Sequence, residues 1–223
     1  MKIIIPTYRD IQWILPCYMH LHHKYWNHPV TIIAEENYLP DCEFVIPPQA
    51  DNGTVQSGDF SDVLIWYLLQ LKDKFICIML SDYMITKPVG VDMIYALIGY
   101  MDEHDNILRC QLGNMFGSEN SSRQTDTIGD IEIREGNFLP TSLTPGIWNR
   151  ELLLEMLNSN TCAWGLEIKG RDKFVSSSWR SICPVPQPID YINALRGRIT
   201  DKMVSTPEII AEIGHMIPNN VAY

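Results

Sequence analysis

The stretch Phe75-Ile76-Cys77-Ile78-Met79-Leu80 is apolar throughout and runs into Ser81-Asp82-Tyr83. A short apolar run without alternation is the pattern of a strand buried on both faces, as in a parallel sheet covered by helices on each side. A carboxylate directly after such a strand stands at the mouth of the crevice where open α/β sheets bind ligands, at the carboxyl ends of their strands. Asp82 is therefore placed to hold a metal or a sugar.

The segments before it fit the same sheet. Lys2 to Ile5 is a first buried strand closed by Pro6-Thr7-Tyr8-Arg9-Asp10. A helix follows with Asp10 as candidate N-cap, and Pro16 is tolerated only in its first turn or at a kink. Val30 to Ala34 and Glu43 to Ile46 are further strands, the second stopped by Pro47-Pro48. Asp51 to Asp59 is a polar loop, and a helix over about 61–72 leads into the Phe75 strand. Gly90 opens another helix, and Asn106 to Leu112 returns as a strand parallel and adjacent to the central one.

Beyond Gly113 the texture changes. Residues 114–127 are polar and read as a loop, and 128–138 as a β-ribbon around Gly129 and Gly136. A helix covers Glu151 to Leu157, a short one runs from Trp164 to Gly170, and Lys173 to Ser177 and Ser181 to Val185 are strand-like. Tyr191 to Ile199 is polar and basic, and Thr206-Pro207 opens a last helix. The expected fold is α/β and Rossmann-like: a mostly parallel central sheet flanked by helices, with a small β-ribbon and a helical acceptor-side region. Residues 1–223 form one domain, with a nucleotide-binding half (1–113) and an acceptor-side half (114–223).

Composition narrows the partners. A formal net charge of -10 disfavours sequence-independent binding to nucleic acid, which relies on basic side chains neutralising phosphates. Lys169, Arg171, Lys173 and Arg180 still make the second half locally basic. No apolar run approaches the roughly 20 residues of a membrane span. The six cysteines are scattered without CxxC pairs, the usage of reduced, buried thiols in a cytoplasmic protein. His20, His22, His23 and His28 lack a completing cysteine or carboxylate at ligand spacing and read as a solvated helix face.

Three segments together resemble small glycosyltransferases of the A-type (nucleotide-diphospho-sugar transferase) fold, of bacterial and phage type. They are Ile5-Pro6-Thr7-Tyr8; Phe60-Ser61-Asp62 with its helix and the strand ending at Ser81-Asp82-Tyr83; and Leu143-Thr144-Pro145-Gly146-Ile147-Trp148-Asn149-Arg150 followed by Trp164-Gly165-Leu166-Glu167. The resemblance covers residues 1 to about 199. It departs from the family at the acidic motif: Ser81-Asp82-Tyr83 carries one acid where two are usual.

The resemblance implies transfer of a sugar from a nucleotide-sugar, with a UDP-sugar as first candidate, to an acceptor hydroxyl. Asp82 would hold a divalent cation (Mg²⁺ or Mn²⁺) or the donor. Pro6, Thr7, Tyr8, Arg9, Glu35 and Asp62 would line the donor pocket, and Arg196 and Arg198 would reach the diphosphate as charge-assisted donors. Glu167 would be the general base, with Trp148 and Trp164 as an aromatic wall for the acceptor. Each has an ordinary alternative: a turn cap for Asp82, solvated acids for Glu35 and Glu167, core for both tryptophans, surface charge for both arginines. The acceptor is a carbohydrate or a hydroxymethylated pyrimidine in phage DNA, which would have to be flipped out to be reached. A non-catalytic nucleotide-sugar-binding module is the alternative outside enzymes. A nucleotidyltransferase ranks lower, because no glycine follows the first strand.

Overall fold

The structure, a computed structural model, describes residues 1–7, 9–34, 37, 39, 42–48, 60–113, 122–136, 140–159, 161–194 and 206–217. Four parallel strands form one half of a nine-stranded sheet: β1 (Lys2–Pro6), β2 (Val30–Ile33), β3 (Glu43–Val45) and β4 (Phe75–Ile78), in the order β3-β2-β1-β4. All four residues of β2 and of β4 are buried, which is why both read as unbroken apolar runs.

The ribbon of β5 (Tyr83–Ile85) leaves the sheet directly after β4. The chain then returns through β6 (Ile107–Gln111) and the hairpin of β7 (Ser122–Ile128) and β8 (Ile131–Gly136), followed by β9 (Gly146–Asn149) and β10 (Arg180–Val185). The full order is β3-β2-β1-β4-β9-β6-β10-β8-β7. A three-residue strand, β11 (Tyr191–Asn193), pairs antiparallel with β5 as a separate ribbon.

Helices cover both faces. α1 (Leu15–Tyr25) and α3 (Val91–Asp102) bury Tyr18, Met19, Ile94 and Leu97 against Ile3, Ile5, Cys77 and Ile147. α2 (Phe60–Leu68), α4 (Arg150–Met156) and α5 (Ala163–Val175) bury Leu64, Leu68, Leu153 and Leu166 against Ile4, Ile76, Ile78 and Trp148. α6 (Pro207–Ile213) packs Ile209 and Ile213 against Ile14, Cys17 and Leu21 beside the ribbon. The described architecture is thus the expected α/β sandwich of a mostly parallel central sheet between helices. No helix among the described residues is long and apolar enough to cross a membrane, and all six cysteines are free thiols.

Several local expectations are corrected. β4 and β6 are not neighbours, because β9 lies between them and pairs antiparallel with both. Gly-Ile-Trp-Asn is too short a run to reveal a period, so its strand was hidden in sequence. The polar loop contains β7, whose described side chains are mostly exposed, as an edge strand tolerates. α5 does not stop at Gly170 but continues through 173–175, where a strand was expected. A Cβ on Gly170 would lie 3.1 Å from Met156 Sδ, so this glycine permits close packing with α4 and is no helix terminator. Residues 9–14 form a 3₁₀ turn, and α1 begins only at Leu15 with no side-chain cap, so that Pro16 lies in its first turn and not at a kink.

The histidine face is also not wholly solvated. His22 is fully buried. Its Nε2–H donates to the His28 carbonyl at 2.8 Å, while Nδ1 is buried without a partner. Its ring stacks on Tyr18 and tilts against Trp26. A proton on Nδ1 would be a charge with no acceptor, so burial pulls the His22 pKa down to about 4. Above the unfolded value near 6.5 both states are neutral, and this contribution to stability is fully present. As pH falls from there towards 4 the unfolded chain takes up a proton that the folded one refuses, and about 3 kcal/mol is lost. The unfolding free energy of the native chain, minus that of His22→Phe, is expected to fall by about that amount between pH 7 and pH 4. A difference independent of pH would contradict this.

Candidate active site

The carboxyl ends of β1 and β4 meet. The Met79 amide donates to the Ile4 carbonyl at 3.1 Å, and the Thr7 amide to the Ile33 carbonyl at 2.9 Å. Thr7 Oγ1 and Ser81 Oγ are 3.1 Å apart and hydrogen-bonded. Two segments 74 positions apart in sequence are thereby fixed side by side, with Pro6 and Asp82 both buried next to the bond. The turn at Ser81-Asp82 is closed by the Tyr83 amide donating to the Leu80 carbonyl at 3.1 Å. The Asp82 carbonyl accepts from the Ala194 amide at 2.8 Å, and so joins the central strand to the end of β11.

Around Asp82 the side chains are aromatic. Tyr83 and Tyr191 meet edge-on, with ring centres 5.0 Å apart. Burial first, and Asp82 in addition, push both phenols well above their usual range, so both stay protonated. A Cβ at Gly113 would lie 2.3 Å from the Tyr191 ring; only glycine leaves room for it.

The other side of the site is built on Glu167 of α5. Its Oε1 accepts from the Leu143 amide at 2.6 Å and from Ser142 Oγ at 3.2 Å. Its carbonyl accepts from Thr141 Oγ1 at 2.7 Å. Both carboxylate bonds use Oε1, and Oε2 has no hydrogen-bond partner among the described residues. The half-buried Glu167 side chain lines a hollow of about 480 Å³ with Ile168, Arg171, Asp172 and Val175. A larger hollow of about 610 Å³ lies off the β5–β11 ribbon, lined by Thr86, Lys87, Pro186, Asp190 and others; it includes neither Asp82 nor Glu167. The negative charges of Asp82 and Glu167 both bear on the Tyr83 hydroxyl.

The remaining expected residues divide. Asp62 lies half-buried in the first turn of α2, the helix that returns from the carboxyl edge of the sheet to the start of β4. Its neighbour Ser61 accepts the Thr161 amide at 2.9 Å, tying that end of α2 to the residues before α5. Trp164 is 65% exposed, one turn before Glu167 on α5. Trp148 is fully buried on β9 beneath the Arg109 guanidinium, 5.1 Å from its ring; it occupies a core position and presents no face to an acceptor. Arg9 lies in the 3₁₀ turn, with its side chain outside the described residues. Tyr8, Glu35, Arg196 and Arg198 also lie outside the described residues.

One residue at the site was not anticipated. Arg109, on β6, is fully buried. Its Nη2 donates to the Thr144 carbonyl at 2.9 Å and to Thr144 Oγ1 at 2.6 Å. Burial lowers its pKa to about 10, and the Glu167 charge is the largest influence opposing that fall. The signal was an arginine inside the run Ile107-Leu108-Arg109-Cys110, where a charge is out of place.

Neither a family model nor a curated protein matches this sequence. Among solved structures, S. aureus TarS 1-349 superposes over 100% of this chain and 67% of its own, with a TM-score of 0.53 and 15% identity. The same S. aureus protein in complex with UDP superposes with a TM-score of 0.53 and 14% identity, again over 100% and 67% of the two chains. At this identity the likeness is one of fold: the chain has a GT-A-like fold.

Proposed function

We propose that the chain is a glycosyltransferase that moves a sugar from a nucleotide-sugar to an acceptor hydroxyl. One observation carries this function: the Thr7–Ser81 hydrogen bond locks the ends of β1 and β4 beside Asp82, with the Glu167 charge bearing on the same Tyr83 hydroxyl as Asp82. A uridine nucleotide is the first candidate, supported by the UDP-bound state of the S. aureus structure of like fold.

Asp82 and Thr7 hold the donor in this scheme, with Pro6, Tyr8, Arg9, Glu35, Asp62, Arg196 and Arg198 as further donor-side groups. The described residues contain no group of three or more ligating side chains. The single acid Asp82 therefore fits a divalent cation only in the mode where substrate phosphates and water complete the shell. Mg²⁺ or Mn²⁺ held there by Asp82 would neutralise charge on the leaving diphosphate.

Glu167 has the geometry of a positioned base, with Oε1 clamped and Oε2 open. In a direct displacement Oε2 takes the proton of the acceptor hydroxyl. The acceptor oxygen bonds to the anomeric carbon as the bond from that carbon to the diphosphate breaks, and the nucleoside diphosphate leaves with the electron pair. Trp164 offers an exposed aromatic face to a sugar or base acceptor one turn away.

Donor binding is tested by thermal denaturation with UDP-glucose or UDP-N-acetylglucosamine and Mg²⁺ or Mn²⁺. At a hundredfold excess over Kd the gain is about 2.7 kcal/mol, which for a chain of this size is roughly 5–10 °C in Tm. No shift with any common nucleotide-sugar would sink the proposal.

A further inference from the structure

Arg109 is costly as a structural residue. Its guanidinium has two hydrogen bonds, both from Nη2 to Thr144, while Nε and Nη1 are buried without a partner. No carboxylate lies within ion-pair distance of it among the described residues. Buried donors left unmade carry a full desolvation penalty, and an apolar side chain of similar length is often as stable or more so at such a site. The surroundings nonetheless accommodate the arginine. A Cβ on Gly146 would lie 2.9 Å from Nε, the ring of Trp148 supports the guanidinium, and the β6–β10 register shifts by one residue between Ile107 and Arg109. Such a bulge re-aims a side chain.

What Arg109 touches leads to Glu167. Thr144, which takes both Nη2 bonds, donates its amide to Ser142 Oγ at 3.3 Å. Ser142 Oγ in turn donates to Glu167 Oε1, and Leu143, between the two, donates its amide to the same oxygen. The loop 141–144 is fully buried and bonded at one end to a guanidinium and at the other to a carboxylate.

We propose that Arg109 is a positioning residue for Glu167: through Thr144 and Ser142 it fixes the loop that clamps one carboxylate oxygen and leaves the other open to the acceptor. This rests on Glu167 acting as the base. It assigns a role to a side chain that touches neither donor nor acceptor, and it accounts for a buried charge that stability alone does not require.

The test uses Arg109→Met and Arg109→Lys in the full chain, with two independent readouts. In native-state hydrogen exchange, the Leu143 amide in Arg109→Met is expected to lose protection by about tenfold or more, while the Ile147 amide of β9 changes little. Arg109→Lys keeps the charge and a donor for Thr144, and is expected to restore most of that protection. In UDP release from UDP-glucose, Arg109→Met is expected to lower kcat by about 10- to 100-fold with the donor KM unchanged, and Arg109→Lys to recover most of it. Native protection at Leu143 in the methionine variant overturns the proposal, as does native kcat in that variant or a lysine variant as impaired as the methionine one. The exchange readout needs no turnover, so a failure of sugar transfer itself appears separately, as inactive native protein.

Discussion

Glu167→Gln is expected to slow sugar transfer by about 10²- to 10⁴-fold while leaving donor affinity and Tm close to native. The substitution is nearly isosteric. A glutamine oxygen still accepts from the Leu143 amide and from Ser142 Oγ, so the loop 141–144 keeps its clamp. What disappears is the basicity of the second oxygen, the one that the proposed displacement asks to take a proton. In this scheme donor binding belongs to the β1–β4 edge and should not register the change. Steady-state kinetics of UDP release, alongside the Tm shift with the same donor, separate the two effects. Transfer at the native rate would remove Glu167 from the role of base.

Asp82→Asn is expected to act the other way, weakening donor or cation binding by roughly 10- to 100-fold, the loss of one charge-assisted interaction. The fold should tolerate it. The backbone bond from the Ala194 amide to the Asp82 carbonyl is untouched, and Thr7 and Ser81 keep their own hydrogen bond. Tyr83 and Tyr191 stay neutral beside either side chain, so their packing does not depend on the Asp82 charge. Tm without ligand should stay close to native, and the Tm shift with UDP-glucose should shrink. Equal donor affinity in the two proteins would take Asp82 out of the site. Read together, the two variants assign one acid to binding and the other to chemistry, a division that neither can make alone.

How much of this was legible in the sequence depends on how far apart the partners lie in the chain. β1, β2 and β4 announced themselves because burial on both faces leaves an unbroken apolar run. Asp82 was visible as an acid at the end of such a run. Glu167 was visible only through its resemblance-based pairing with a tryptophan; its clamp on Leu143 and Ser142 spans 24 and 25 positions and has no local signature. Arg109 shows the reverse failure. Its oddity was written in the sequence, a charge in an apolar strand, but its meaning depends on Thr144 and Gly146, which approach only once β9 has paired with β6. Trp148 was placed on the acceptor side by the resemblance, and the core position that was its alternative is the one it takes on β9. The β7–β8 hairpin was missed in part because an edge strand with exposed faces has no apolar pattern to read.

The placement of β9 has a consequence for how the molecule is made. A ribosome delivers β1 to β6 before it delivers Gly146–Asn149, yet those later residues fill the gap between β4 and β6. Until they arrive, the nascent chain holds two strand edges apart with nothing to bridge them, and unpaired edges recruit other chains. The sheet is completed from within, first by β9, which carries the loop 141–144 in with it, and then by β10 between β6 and β8. The clamp itself waits for Glu167, which the ribosome delivers only after β9, so the loop 141–144 is seated in the sheet before its carboxylate partner is made.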